Sequence, residues 1–237
     1  ALRTRRMDLL KNMTLAHWLL VLVAVAGLVM LGLVVGVTTI EGRQARQVAG
    51  MEPYATPTQP APSRVAVVYF SRSGNTALAA RHVAKRLGAS LYSLHVPEYA
   101  LGVSGLAHSA LDAKAHRDDP AKLPDISPRT VDLKPFDTVW LGSPVWFYSP
   151  APPIWAFVEN NRFDGQHVVL FNTFNSNFGE DQIAAFKAKV LARGARSFEH
   201  RHVLRGRMTQ QLSPEEMLKA IDLESFDANA RILDRTP

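Results

Sequence analysis

Cysteine is absent from the 237-residue chain, which excludes disulfides, thiolate nucleophiles, iron–sulfur clusters and Cys-based zinc sites. The absence leaves the compartment open, because a disulfide-free fold can occupy either side of a membrane. Neither a Gly-Lys-Ser/Thr triplet nor a G-x-G-x-x-G run occurs, so a Walker-type loop and a dinucleotide fingerprint are both missing. Acidic residues are the minority charge, 21 against 27 Lys and Arg, for a net charge of +6. That excess is scattered, apart from Arg3, Arg5, Arg6 and Lys11 beside an apolar run. Such a cluster reads as a membrane flank, and nucleic acid is not expected as a partner.

Charge of either sign is missing altogether from Leu15 to Ile40, LAHWLLVLVAVAGLVMLGLVVGVTTI. As a helix this stretch would extend roughly 39 Å at ~1.5 Å per residue, enough to cross a hydrocarbon core of about 30 Å with some tilt. It is apolar on every face, unlike a soluble amphipathic helix. Trp18 lies near its first boundary, where an indole suits the wet interface. A cleaved signal peptide would have an apolar region of only ~7–15 residues followed by a small-x-small site; this run is longer and no A-x-A follows it. Gly32 and Gly36 form a small-xxx-small pair of the kind that packs helices, and the oligomeric state stays open. Four basic residues precede the run, whereas Arg43 and Arg46 follow it. The positive-inside rule then predicts a single-pass protein of an inner, cytoplasmic-type membrane, with the soluble domain outside the cytoplasm.

The organisation expected is a basic flank over 1–14, a transmembrane helix over 15–40, a linker over 41–63 and one domain over 64–237. The linker lacks periodicity and carries Pro53, Pro57, Pro60 and Pro62, which favour extended backbone and predict a spacer holding the domain off the lipid. Beyond Arg64, short apolar runs alternate with helical stretches, the pattern of a parallel sheet covered on both faces. Strands are expected at 65–70, 90–95, 138–142, 167–172 and 196–204. Helices are expected at 75–88, around 104–116, from 153 to 160, over 180–192, and from a capping box formed by Ser213 and Glu216 with Pro214 in the first turn. The result is an α/β, doubly wound, five-stranded parallel sheet preceded by a single transmembrane helix.

Ligands of such sheets bind beyond the carboxyl ends of the strands. Three loops lie there. The first, Ser71-Arg72-Ser73-Gly74-Asn75-Thr76, joins an apolar strand to a helix start. There backbone N–H groups and three hydroxyls can wrap a monophosphate, and Gly74 lets the backbone approach. With the preceding Phe70 it resembles the phosphate loop of the flavodoxins, an apolar strand followed by S/T-x-S/T-G-N-T. The resemblance implies a flavodoxin-like fold and flavin mononucleotide (FMN) as cofactor. Arg72 is compatible with pairing to phosphate or with an exposed position.

The second loop, Gly142 to Pro150, sets Pro144, Val145, Trp146, Phe147 and Tyr148 in a row. Its G-x-P-x-W core is similar to that of a flavodoxin subfamily with an extended stretch after strand two. The resemblance implies that Trp146 contacts the flavin ring and that Phe147 or Tyr148 supplies another face, as flat rings stack on aromatics. The third loop offers Asn172, Thr173, Phe174, Asn175 and Gly179 to the pyrimidine edge. The resemblance spans residues 64–204, extending toward 225.

Two departures from the flavodoxins are visible: the chain is basic where soluble members are acidic, and the second loop has no acid. Less negative charge near the ring is expected to raise its potential, and docking on the usual basic partners is in doubt. His200 and His202 alternate along a strand with no third ligand at metal spacing, so a solvated face is expected. His108, His116 and Asp118 read the same way, and no metal site is expected. No catalytic side chain is nominated, because a bound flavin carries the chemistry itself. The function expected is electron transfer by a membrane-anchored FMN flavoprotein, with lipid around residues 15–40 and a redox partner protein or quinone. An FMN-dependent quinone or NAD(P)H oxidoreductase and a redox-inactive accessory subunit of a membrane complex are the alternatives.

Overall fold

The computed structural model describes residues 14–55, 63–119, 121–205 and 211–226. The basic cluster before residue 12, Pro57, Pro60 and Pro62 of the linker, and the end of the domain beyond 226 lie outside them. The first element, α1, runs unbroken from Leu15 to Ala49 and is the one helix among the described residues long and apolar enough to cross a membrane. It does not stop at Ile40, where the apolar run ends. Residues 41–49, EGRQARQVA, contain good helix formers and no proline, so the loss of hydrophobicity changes the helix's surroundings without breaking its backbone. The expected linker is therefore helical for its first nine residues, and these pack on the domain. Every residue from Leu15 to Leu33 is exposed, partial burial begins at Val34, and Val48 is buried.

After Gly50 the chain continues along the domain, and the Tyr54 hydroxyl donates to the Ala89 carbonyl at 2.5 Å. The sheet follows, with β1 at Val65–Phe70, β2 at Ser90–Leu94, β3 at Thr138–Trp146, β4 at Ser149–Pro150, β5 at His167–Phe174 and β6 at Ser197–Leu204. Five strands are parallel in the order β2-β1-β3-β5-β6. The sixth, β4, folds back antiparallel on the end of β3, pairing Val145 with Pro150 and Trp146 with Ser149. The strand count is thus six rather than five, because the expected loop after residue 142 is a hairpin.

Helices α2 (Asn75–Leu87), α3 (Val103–Asp118), α4 (Pro152–Asn160), α5 (Glu180–Ala192) and α6 (Pro214–Phe226) connect or follow the strands. Side chains alternate across the pleat. Ala66, Val68, Phe70, Val139, Leu141, Val168 and Leu170 face one core, with Ile154 and Phe157 of α4 and Phe186 and Val190 of α5. Val67, Trp140, Val169, Phe171 and Val203 face the other, with Leu78 and Val83 of α2, Met217 and Ile221 of α6, and Val48 of α1. The expected capping box starts α6: the Ser213 N–H donates to Glu216 Oε2 at 2.8 Å and the Glu216 N–H to Ser213 Oγ at 3.2 Å. Because the chain goes from β1 outward to β2 and then returns to the other side of β1 as β3, the strand order switches between β1 and β3. A crevice at their carboxyl ends is the consequence.

Candidate functional site

That crevice is a cleft of about 340 Å³, lined by parts of all three loops and, unexpectedly, by Glu41 and Arg205. Its floor is the turn between β1 and α2. Gly74 caps α2 with φ +90°, a conformation open to glycine at little cost, and its N–H donates to Ser71 Oγ at 3.1 Å. A Cβ here would also lie 2.5 Å from Val48 Cγ2, so the same glycine admits α1. The first N–H groups of α2 have no intrahelical acceptor and carry positive partial charge into the cleft. Thr76 is buried and its hydroxyl lies 2.8 Å from that of Thr173, tying the turn to β5.

Arg72 is not solvent-directed: its side chain is 4% exposed. It pairs with the Glu41 carboxylate and donates through Nη2 to the Gly102 carbonyl at 3.1 Å. Asn75 donates to Gln44 Oε1 at 3.5 Å and Ser73 Oγ at 3.4 Å. Four buried polar atoms here lack a partner among the described residues: Arg72 Nε, Asn75 Oδ1, Glu41 Oε2 and, across the cleft, Arg205 Nε, to which Arg205 Nη1 adds a fifth. Arg205 follows directly on β6, is 4% exposed, and burial pulls its pKa below the usual guanidinium value. An uncompensated buried cation is costly, so this arrangement fits an anion with several acceptor oxygens. Neither Glu41 nor Arg205 was legible as a site residue; each is isolated in sequence and reaches the cleft through tertiary packing alone.

The wall is the β3–β4 hairpin. Pro144, Val145, Trp146 and Phe147 line the cleft; Tyr148 does not, and stands half exposed beside it. Phe147 and Tyr148 turn the hairpin with φ +47° and +69°, a left-handed conformation costing of order 1–3 kcal/mol for bulky residues. The turn is held from outside. The Gly179 N–H donates to the Tyr148 carbonyl at 2.7 Å, the Ala151 N–H donates to Ser143 Oγ at 2.9 Å, and Trp155 Nε1 donates to Ser149 Oγ at 3.1 Å. Trp146 packs edge-on against Phe70 at 5.5 Å and obliquely against Tyr99 at 5.6 Å.

From the third loop, Thr173, Phe174 and Asn175 line the cleft. Gly179 does not; it braces the hairpin. Asn172 is fully buried beneath: its Nδ2 donates to the Ser143 carbonyl at 3.0 Å and its Oδ1 accepts from His200 Nε2 at 2.8 Å. Asn172 is a strut between β3, β5 and β6, because β5 continues two residues past its expected end. His200 and His202 do share a face, but it is only partly exposed. Their rings stack 5.4 Å apart and pack on Phe178 at 4.8 and 5.0 Å. Burial, then the neighbouring His202, pushes the His200 pKa down to about 4. His116 is likewise buried, against Trp155, and its pKa lowered by that burial. No cluster of metal-ligating side chains occurs among the described residues.

A flavodoxin family model matches residues 64–212. Among curated proteins none matches the chain significantly. Solved structures with the same fold include a candidate flavoprotein from Bacteroides uniformis, 22% identical with a TM-score of 0.53 over 62% of this chain and 94% of that one. A second, from Bacteroides eggerthii, is 24% identical with a TM-score of 0.50 over 62% and 92%. A flavoprotein from Lactobacillus acidophilus, solved in complex with FMN, is 22% identical with a TM-score of 0.47 over 58% and 93%.

Proposed function

The chain belongs to the flavodoxin family, and from that premise we propose that it is a membrane-anchored FMN protein that passes electrons to or from a membrane-associated partner. The observation that carries this reading is the set of donors gathered around the β1–α2 turn. Ser71, Ser73 and Thr76 supply hydroxyls, the first turn of α2 supplies N–H groups, and Arg72 and Arg205 supply buried N–H donors without acceptors. A phosphate monoester satisfies all three kinds of donor. Glu41 is the one group of the wrong sign, and its pairing with Arg72 neutralises it.

The remaining fit is to a flat ring with a polar chain. Trp146 and Phe147 give the aromatic wall, and Thr173 and Asn175 give polar groups on the far side. FMN, when bound, supplies one- and two-electron redox chemistry. The chain's own part is to hold the phosphate, to wall off one side of the ring, and to set the charge around it. No side chain is needed as an acid or base. The long exposed stretch of α1 is read as the anchor, with the N-terminus in the cytoplasm and the domain outside.

The test is the visible spectrum of protein purified gently in detergent, with identification of the released chromophore. Absorption near ~450 nm with FMN released in about one-to-one ratio supports the reading. No flavin after reconstitution with excess FMN would refute it in favour of an accessory subunit. Protease added to intact spheroplasts should remove the domain, and full protection would overturn the orientation.

A further inference from the structure

The direction in which α1 leaves the domain fixes which face of the domain meets the lipid. Contacts between the end of α1 and α2 rise together in number: Glu41 with Arg72 and Gln44 with Asn75, the Val48 and Met51 carbonyls with Arg81 at 2.8 and 3.2 Å, and Glu52 with Lys85 at 3.2 Å. α1 and the segment after it therefore run alongside α2 in the same sense, from the carboxyl edge of the sheet toward the amino edge. Followed backward, α1 climbs past the β1–α2 turn and leaves the domain over the cleft edge.

Its fully exposed stretch, Leu15–Leu33, is roughly 28 Å long at ~1.5 Å per residue, which matches a hydrocarbon core of about 30 Å. The lipid boundary then falls at Val34, the first partly buried position, about 10 Å along the axis from Glu41.

The same edge is where the domain exposes its apolar side chains. Leu101 and Val103 flank Gly102, whose carbonyl is bonded by Arg72. Phe147 and Tyr148 cap the hairpin, and Leu204 ends β6 beside Arg205. Among the described residues, the other exposed large apolar side chains outside α1 are Leu111, Leu191 and Leu223, which lie farther along their helices. An apolar set spread along the carboxyl edge of the sheet, the edge from which α1 emerges, is suited to the headgroup and upper acyl region.

We propose that the carboxyl edge of the sheet is a lipid-docking surface, on which the mouth of the flavin cleft is held against the membrane. The occupant is the bilayer surface itself, and electrons accordingly exchange with a carrier dissolved in or lying on the membrane. This inference rests on the anchoring reading given above.

The lack of cysteine makes a direct test available. Full-length L101C, V103C, L223C and V25C variants, each with a single thiol, are labelled with an environment-sensitive fluorophore and reconstituted with FMN into vesicles containing nitroxide-labelled phospholipids. Label at positions 101 and 103 is expected to be quenched by shallow nitroxides at least about twofold more than at 223, an equally exposed leucine at the opposite end of the domain. Position 25 should be quenched by deep nitroxides. Quenching at 25 with none at 101 and 103 overturns the docking surface and leaves the anchor intact. Absence of quenching at 25 removes the anchor and the docking surface together.

Discussion

Replacing Arg205 by leucine should move stability and cofactor affinity in opposite directions. In the cofactor-free protein the guanidinium is 4% exposed, with Nε and Nη1 unpartnered among the described residues. Leucine removes that desolvation penalty while keeping much of the buried stem, so the cofactor-free variant is expected to be at least as stable as the native chain. On the assignment proposed above, the same guanidinium would supply charge-assisted hydrogen bonds to the FMN phosphate, worth about 1.5–3 kcal/mol. Its loss should weaken FMN by about ten- to a hundredfold, at ~1.4 kcal/mol per factor of ten. Riboflavin, which has the ring and no phosphate, should bind R205L and the native chain equally. The assay is flavin-fluorescence titration of apoprotein with each ligand, alongside thermal unfolding without ligand. Equal losses for FMN and riboflavin, or a destabilised apoprotein with an unchanged FMN-to-riboflavin ratio, would refute the assignment and make Arg205 a packing residue.

Gly74→Ala should cost about 1–3 kcal/mol, from the left-handed backbone and from a Cβ 2.5 Å from Val48 Cγ2; thermal melts would check it, and an unchanged midpoint would contradict the close packing of α1. If Trp146, which lines the cleft, stacks on the ring as proposed, Trp146→Ala should weaken FMN and riboflavin alike by about 0.5–1.5 kcal/mol; selective loss of FMN would count against that role. The lowered His200 pKa makes stability acid-sensitive. With a folded value of about 4 and an unfolded one near ~6.5, its neutral form contributes fully above pH ~6.5. That contribution of up to roughly 3 kcal/mol is lost as the pH falls through about 4. Urea unfolding at several pH values should show this slope, and His200→Gln should flatten it.

Much of the sheet was legible because doubly buried strands announce themselves. VAVVYF at β1 and HVVLFN in β5 are runs that only a covered parallel sheet accommodates, and S-R-S-G-N-T directly after β1 places the cleft floor. The end of α1 is not legible from hydropathy because an apolar run can stop where helical hydrogen bonding does not; residues 41–49 hold no proline, and the helix runs through Gly42 to Ala49. The hairpin at Phe147–Tyr148 was hidden because both turn residues are aromatics in a conformation glycine or asparagine usually takes. Arg72 could not be judged buried from its own neighbourhood, since Glu41, 31 positions earlier, buries it. Arg205 had no local signal at all. It is an arginine after a strand, and only the fold shows that its buried Nε and Nη1 have no partner among the described residues.

If α1 is the membrane anchor proposed above, its unbroken run from Leu15 to Ala49 makes that anchor an axle rather than a leash. A leashed domain would explore a hemisphere of solution and meet partners from any direction. A domain fixed to a stiff shaft through Glu41, Gln44 and Val48 keeps one posture relative to the bilayer, and two movements remain to it: spinning about the shaft and drifting in the plane. On that reading its search for an electron partner would be two-dimensional. Bilayer thickness gains mechanical influence as well, because a membrane that makes the shaft lean leans the cleft by the same angle, with no hinge between them to absorb it.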